Sequence, residues 1–225
     1  MYIPHYYYII SVMLKTGEAN VVPRLWSDFD GTAVELVTWR NPRNWAKYPL
    51  SGIAGYIDFL RGVKSEGVDI GGIVTARPNN FQRRRVTARS IVKLGYGDFF
   101  NTDNTRLSGS HAAKASFLID ESGQAPVGMI EDLPQHLIPT LLKTILLRED
   151  SPRYPLTLGI VDTGHNDSYL EDTIATFDRS PAFEVAASSN FYAVEGEDFK
   201  LNLTLLQSYS EEAGRDFGVK LKSSI

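Results

Sequence analysis

The chain has 225 residues, 43% hydrophobic and 22% charged, a globular composition that excludes wholesale disorder. A formal charge of −4 argues against broad coating of nucleic acid or of an anionic membrane, though not against a local basic patch. With no cysteine, the chain can have no disulfide framework, thiolate metal site or cysteine nucleophile, in keeping with a reducing compartment.

The N-terminal stretch MYIPHYYYIISVML lacks the basic flank and small-residue cleavage site of a secretory signal, and its apolar run is too short for a bilayer. Residues 1–19 therefore read as an N-terminal buried strand. The expected location is cytoplasmic, which makes the sequons at Asn166 and Asn202 incidental. A strand is predicted over residues 24–29, ending in acidic residues. Ser51 is the expected cap of a helix whose apolar positions Ile53, Ile57, Leu60 and Val63 fall at helical spacing, with Gly67 as its stop. A second strand at 68–74 is broken by Gly71 and Gly72, where another part of the chain is expected to approach closely.

Residues 79–94 carry an imperfect helical face of Phe81, Val86, Ile91, Val92 and Leu94. After it the pattern predicts a short strand near 98–101, a helix at 110–119, a strand at 126–130, a helix at 133–147 and a strand at 156–161. Beyond these come a polar loop, a strand at 183–187 and a helix around 199–213. This alternation predicts an α/β fold with a mainly parallel sheet. Two stretches interrupt it. Residues 33–52 exceed the usual βα loop of about six residues and hold Trp39 and Trp45 with Arg40, Arg43, Lys47 and Tyr48. The turn around Pro152 and Pro155 is a candidate start for a C-terminal extension.

Chemistry concentrates at predicted strand ends. In Ser27-Asp28-Phe29-Asp30-Gly31-Thr32 two carboxylates lie two residues apart, where open parallel sheets bind ligands. At strand spacing Asp28 and Asp30 point the same way, so they can share a cation or divide nucleophilic and acid/base roles. Gly31 permits the turn that keeps them close. The next strand closes with Thr75-Ala76-Arg77-Pro78; a threonine there can donate to phosphate oxygens and an arginine can clamp them. Lys114 begins an alanine-rich helix, and a further strand ends in Glu131 and Asp132, the latter also a candidate cap for the helix that follows. The histidines at 5, 111, 136 and 165 have no metal-ligand spacing, and no P-loop, dinucleotide fingerprint or nucleophile elbow occurs. Arg83, Arg84, Arg85, Arg89 and Lys93 make a basic stretch that reads either as a solvated helix face or as a substrate-steering one.

In this order D-F-D-G-T, T-A-R, Lys114 and I-E-D resemble the four motifs of the haloacid dehalogenase-like (HAD) superfamily of phosphohydrolases, over about residues 24–150. The resemblance implies a Rossmann-like three-layer α/β sandwich with a mainly parallel central sheet. One HAD-like domain then spans the chain, with its core at about 20–162, a flap at 33–52 and a C-terminal extension at 163–225. It implies Asp28 as nucleophile, Asp30 as acid and base, Thr75 as phosphoryl holder and Lys114, rather than Lys93, as the motif lysine. Gly31, Thr32, Ala76 and Arg77 would contact the substrate. Mg²⁺ would be held by Asp28, the Asp30 backbone carbonyl and Asp132, with Glu131 as a further ligand or an acceptor for metal-bound water. Asp30 favours phosphoryl chemistry over dehalogenation, since a halide leaves without a proton.

Only 42 residues separate Thr32 from Thr75, and 38 separate Thr75 from Lys114, so neither gap holds a full cap domain. A capless or minimally capped phosphatase is expected, acting on a phosphorylated substrate, small or large, with Trp39 and Trp45 either recognising it or pinning the flap to the core. A neighbouring copy could serve as lid. No membrane partner is expected, and nucleic acid only as a phosphorylated substrate. The alternatives are a binding or regulatory module without turnover and a phosphotransferase or phosphomutase.

Overall fold

A computed structural model describes residues 21–35, 51–147, 154–162, 166–188, 190–197 and 199–223. The strand expected within 1–19, most of the flap with Trp39 and Trp45, and the turn at Pro152 lie outside the described residues.

The described residues form one eight-stranded sheet in the order β3-β2-β1-β4-β5-β8-β7-β6. Its strands are β1 (Arg24–Ser27), β2 (Asp69–Thr75), β3 (Thr105–Leu107), β4 (Val127–Glu131), β5 (Leu156–Val161), β6 (Glu184–Ser188), β7 (Phe191–Glu195) and β8 (Lys200–Leu206). Pairing is parallel from β3 across to β8 and antiparallel for β7 and β6. The helices are α1 (Tyr56–Ser65), α2 (Phe81–Lys93), α3 (His111–Ser122), α4 (Pro134–Leu147), α5 (Asn166–Asp178) and α6 (Glu211–Lys222). Two apolar clusters make three layers. Leu25, Phe29 and Ile73 pack with Phe59, Leu60 and Ile91 of α1 and α2 and with Phe217 of α6. Trp26, Met129 and Leu158 pack with α3, α4 and α5 on the other face. Among the described residues no helix is long and apolar enough to cross a membrane.

Most predicted elements appear within one or two residues, because their local signals agree with their packing. Asn80 and Ser110 cap α2 and α3 by accepting from the amides of Arg83 and Ala113. The expected close approach at β2 is present: the β1–β2 register slips by one residue at Gly71, which has Arg24 and Trp26 against it, and a Cβ on Gly72 would lie 1.9 Å from the Asn104 carbonyl oxygen.

Four expectations are corrected. Ser51 does not cap α1; the helix starts later, after Gly55 in the left-handed conformation and with no side-chain cap. The apolar face expected at 79–94 is only in part the buried one: Ile91 is buried and Leu94 packs partly buried against the core, but Phe81 and Val92 are exposed and Thr87 and Ser90 complete the buried side of α2. At 98–101 there is no strand: Tyr96–Asp98 is a single 3₁₀ turn, and Asn101 and Asn104 fold the following loop through side-chain-to-backbone bonds, so β3 begins at Thr105. The helix expected around 199–213 is β8 followed by α6. In β8, Leu201, Asn202, Leu203 and Thr204 are all buried, so a two-sided strand replaced the alternation that would have marked it. The C-terminal segment thus inserts its strand beside β5 and packs α6 against α1.

Candidate active site

The carboxyl ends of the central strands converge on one group of charges. Asp28 leaves β1 with its amide still bonded to the Ile130 carbonyl at 2.9 Å, which holds it between β1 and β4. The chain then folds sharply. The amides of Ala33 and Val34 both donate to the Phe29 carbonyl, and Gly31, at φ 73°, donates its amide to the Val34 carbonyl. The positive φ is the conformation for which glycine was expected here.

Lys114 of α3 reaches into this corner and is fully buried. Its Nζ lies 2.5 Å from Glu131 Oε2 and 3.2 Å from Asp28 Oδ2. Glu131 is also fully buried, and Asp28 and Asp132 are nearly so. Three interior carboxylates against one ammonium leave two negative charges uncompensated, which would cost several kcal/mol per ion without a partner. The stress is visible in both aspartates. Burial, with the Glu131 and Asp30 charges, pushes Asp28 up to about 6 although Lys114 pulls it down. Burial, Asp28 and Glu131 push Asp132 up to about 8 against the same lysine. For Lys114, burial opposes the charge, but Asp28 and Glu131 outweigh it and raise its pKa.

These residues fit a cation. Asp28, Glu131 and Asp132 each offer an oxygen within 4.8 Å of the others. Asp28 Oδ1 and Asp132 Oδ2 are buried and have no hydrogen-bond partner among the described residues. Asp132 Oδ1 accepts the Thr32 hydroxyl at 3.4 Å, and the amide of Leu133, just before α4, goes to Glu131 Oε1. The free oxygen of Asp132 is therefore available to a metal ion rather than spent as a helix cap. A hard divalent cation suits an all-oxygen set of this charge.

Asp30 does not join this triad. Its charge acts on Asp28, but Arg77 takes both its oxygens, Nε to Oδ2 at 2.6 Å and Nη2 to Oδ1 at 2.5 Å. Arg77 also donates to the Thr87 hydroxyl at 2.8 Å and lies 4.7 Å over the Phe29 ring. The arginine expected on phosphate oxygens is thus engaged with the second aspartate. Thr75 is buried at the end of β2, and its hydroxyl makes no hydrogen bond among the described residues, while Ala76 beside it is half-buried. Lys93 lies exposed in the last turn of α2, so of these two lysines it is Lys114 that meets Asp28.

Three contributors were not legible in the sequence. Asn166 at the start of α5 donates to the Asp132 carbonyl at 2.9 Å and the Val161 carbonyl at 2.6 Å, tying the ends of β4 and β5 together. As a residue it stood out only as part of a sequon. The Tyr56 hydroxyl donates to Ser27 Oγ at 2.6 Å, and Ser27 donates to the Asp28 carbonyl at 2.8 Å, bracing the Asp28 backbone from α1. His111 stacks on His136 with ring centroids 5.1 Å apart, and burial and the Lys114 charge hold its pKa below the usual histidine value. Comparison with family models, with curated proteins and with solved structures gives no match for this chain.

Proposed function

We propose that the chain is a Mg²⁺-dependent phosphatase of the HAD type, hydrolysing a phosphate monoester through an aspartyl-phosphate on Asp28. The observation that carries this reading is the buried cluster in which Asp28 and Glu131 share Lys114 while Asp28 Oδ1 and Asp132 Oδ2 have no hydrogen-bond partner among the described residues. A carboxylate that attacks an anionic phosphate needs such compensation. The candidate nucleophile at the end of β1, central in the parallel part of the sheet, agrees with a core of this type.

Bound Mg²⁺ would supply the remaining positive charge at Asp28, Asp132, Glu131 and the Asp30 carbonyl. In this reading the Asp28 carboxylate bonds to phosphorus as the ester bond breaks. Lys114 keeps that carboxylate ionised. The Thr75 hydroxyl and the backbone of Gly31, Thr32 and Ala76 hold the phosphoryl oxygens. Asp30 gives a proton to the leaving oxygen, then takes one from the water that cleaves the aspartyl-phosphate and restores Asp28. For that, Arg77 must pass from Asp30 to the incoming phosphoryl group.

That last requirement favours a second reading, a phosphate-binding or regulatory module in which Arg77 keeps Asp30 occupied and turnover is lost. Hydrolysis of an aryl phosphate with and without Mg²⁺ separates the two. Multiple turnovers that need Mg²⁺ and vanish in Asp28→Asn support the phosphatase. Stoichiometric labelling of Asp28 without turnover supports the module, and activity unchanged in Asp28→Asn overturns the covalent route.

A further inference from the structure

The motifs that resemble the HAD set end at Asp132, and the segment past residue 162 carries none of them. The fold nevertheless brings that segment to the carboxylate cluster. β8 runs parallel to β5, and β5 parallel to β4, so the chain leaving β8 emerges on the edge of the sheet where Asp28 and Asp132 lie. There the Leu206 carbonyl accepts the Asp162 amide at 2.9 Å, and Asn166 ties the end of β5 to the Asp132 carbonyl. Tyr209, three residues past β8, lies against the start of α1: a Cβ on Gly55 would be 2.2 Å from its carbonyl oxygen.

The Tyr209 ring packs edge-on against Tyr56 and Phe59, with centroids 5.2 Å away in each case. Tyr56 is the residue whose hydroxyl reaches Ser27, and Ser27 reaches the Asp28 carbonyl, so Tyr209 sits directly behind the bonds that brace Asp28. Its own hydroxyl is buried and has no hydrogen-bond partner among the described residues, as is true of Asp28 Oδ1 and Asp132 Oδ2. Burial first, then Tyr56, Asp132, Tyr96 and Asp28, raise its pKa well above the usual tyrosine value, so the phenol keeps its proton beside the two aspartates. Tyr96, in the same aromatic group, differs: its hydroxyl donates to the Ala33 carbonyl at 2.6 Å. One corner of the protein therefore holds a buried O–H without an acceptor and two buried carboxylate oxygens without a donor, each costly to leave unmade.

We propose that Tyr209 is a positioning residue of the cation site, its hydroxyl donating to the Asp132 carboxylate or to a water that the cation retains. The inference rests on the metal part of the phosphatase reading and gives the C-terminal segment a place in it. A phenol suits the position because it supplies a donor without adding charge to a cluster already rich in it. Lys114 is engaged elsewhere, with Asp28 Oδ2 and Glu131 Oε2. Groups that hydrogen-bond to metal ligands fix their orientation, and losing one typically weakens metal binding about 10–100-fold.

The test is calorimetric titration of Mg²⁺ into wild type, Tyr209→Phe and Tyr209→Leu, with thermal melts of each metal-free protein alongside. Tyr209→Phe keeps the ring against Tyr56 and Phe59 and removes only the hydroxyl. It should bind Mg²⁺ about tenfold more weakly. Its metal-free melting temperature should hold or rise, because the deleted hydroxyl has no partner in that state. Tyr209→Leu should show the same loss of affinity with a lower melting temperature, since the ring packing goes as well. A merely structural hydroxyl predicts the reverse for Tyr209→Phe: a lower metal-free melting temperature with Mg²⁺ affinity unchanged. That result, or a Tyr209→Phe protein like wild type in both measurements, overturns the positioning role while leaving the cation site intact. Failure of wild type to bind Mg²⁺ overturns the cation site itself, and the role of Tyr209 with it.

Discussion

A Cβ added to Gly31 would lie 2.0 Å from Oδ2 of Asp132, a hundred residues further along the chain. The oxygen it would strike is one of the two buried carboxylate oxygens that have no hydrogen-bond partner among the described residues. The turn after β1 and the end of β4 therefore meet so closely that only hydrogen fits between them. Gly31→Ala should displace Asp132 and strain a left-handed backbone, the latter alone costing about 1 kcal/mol. The expected result is a lower melting temperature together with loss of the Mg²⁺-induced rise expected of wild type, checked by thermal melts with Mg²⁺ and with chelator. A variant that keeps the full Mg²⁺ response would remove Asp132 from the metal site.

Metal binding can be tested apart from catalysis. A cation that binds only the folded cluster raises the melting temperature by mass action. Asp132→Ala should erase that rise, because it deletes an unpartnered buried oxygen facing the site. Asp28→Asn should reduce it and also abolish turnover, with the fold kept, since the change removes one charge from an overcharged interior. Calorimetric titration with Mg²⁺ beside the melts checks both variants.

The pH dependence of the metal-free protein has a definite sign. Asp28 and Asp132 are raised in the fold from 3.8 to about 6 and about 8. The folded state therefore binds their protons more tightly than the unfolded chain, and stability falls as pH climbs from 3.8 through those two values, then levels off. A tenfold difference in proton affinity between the two states corresponds to about 1.4 kcal/mol. Mg²⁺ bound to these carboxylates would compete with the protons, so its stabilising effect should grow across the same window. Melting temperatures from about pH 4 to about pH 9, with and without Mg²⁺, decide this, because the range runs from ordinary carboxylates to beyond both raised groups. A metal-free protein that becomes more stable toward about pH 8 would contradict the burial of this cluster.

Lys114 and Lys93 give a paired test of which lysine matters. Lys114→Met leaves Asp28 and Glu131 buried without their cation, a loss that usually costs about 3–5 kcal/mol. Lys93→Met removes an exposed charge and should stay within about 0.5 kcal/mol. Chemical denaturation of both variants, repeated with Mg²⁺, should show the Lys114→Met deficit partly restored by the metal. Equal stability of the two variants would mean that the ammonium contributes nothing to holding the cluster.

The places where chemistry gathers can be read from the amino-acid order without any coordinates. Asp28, Thr75, Glu131 and Asp132 all close predicted strands, and strand ends are legible because apolar runs and turn residues are local signals. The turn at Gly31 and the glycine at the close approach at Gly72 are local in the same sense. The partners of these residues came from packing. Strand order set β1 between β2 and β4, and that brought Lys114 to Asp28 and Glu131 and left Lys93 in solvent. The same packing turned Arg77 onto Asp30 and made Asn166 a tie between two strand ends. It also hid β8, whose Asn202 and Thr204 are buried on a two-sided strand and so break the alternation by which a strand is read. One cause underlies all of these. A side chain's charge and size are written at its own position, but the free energy of burying it depends on groups that only the finished sheet places beside it.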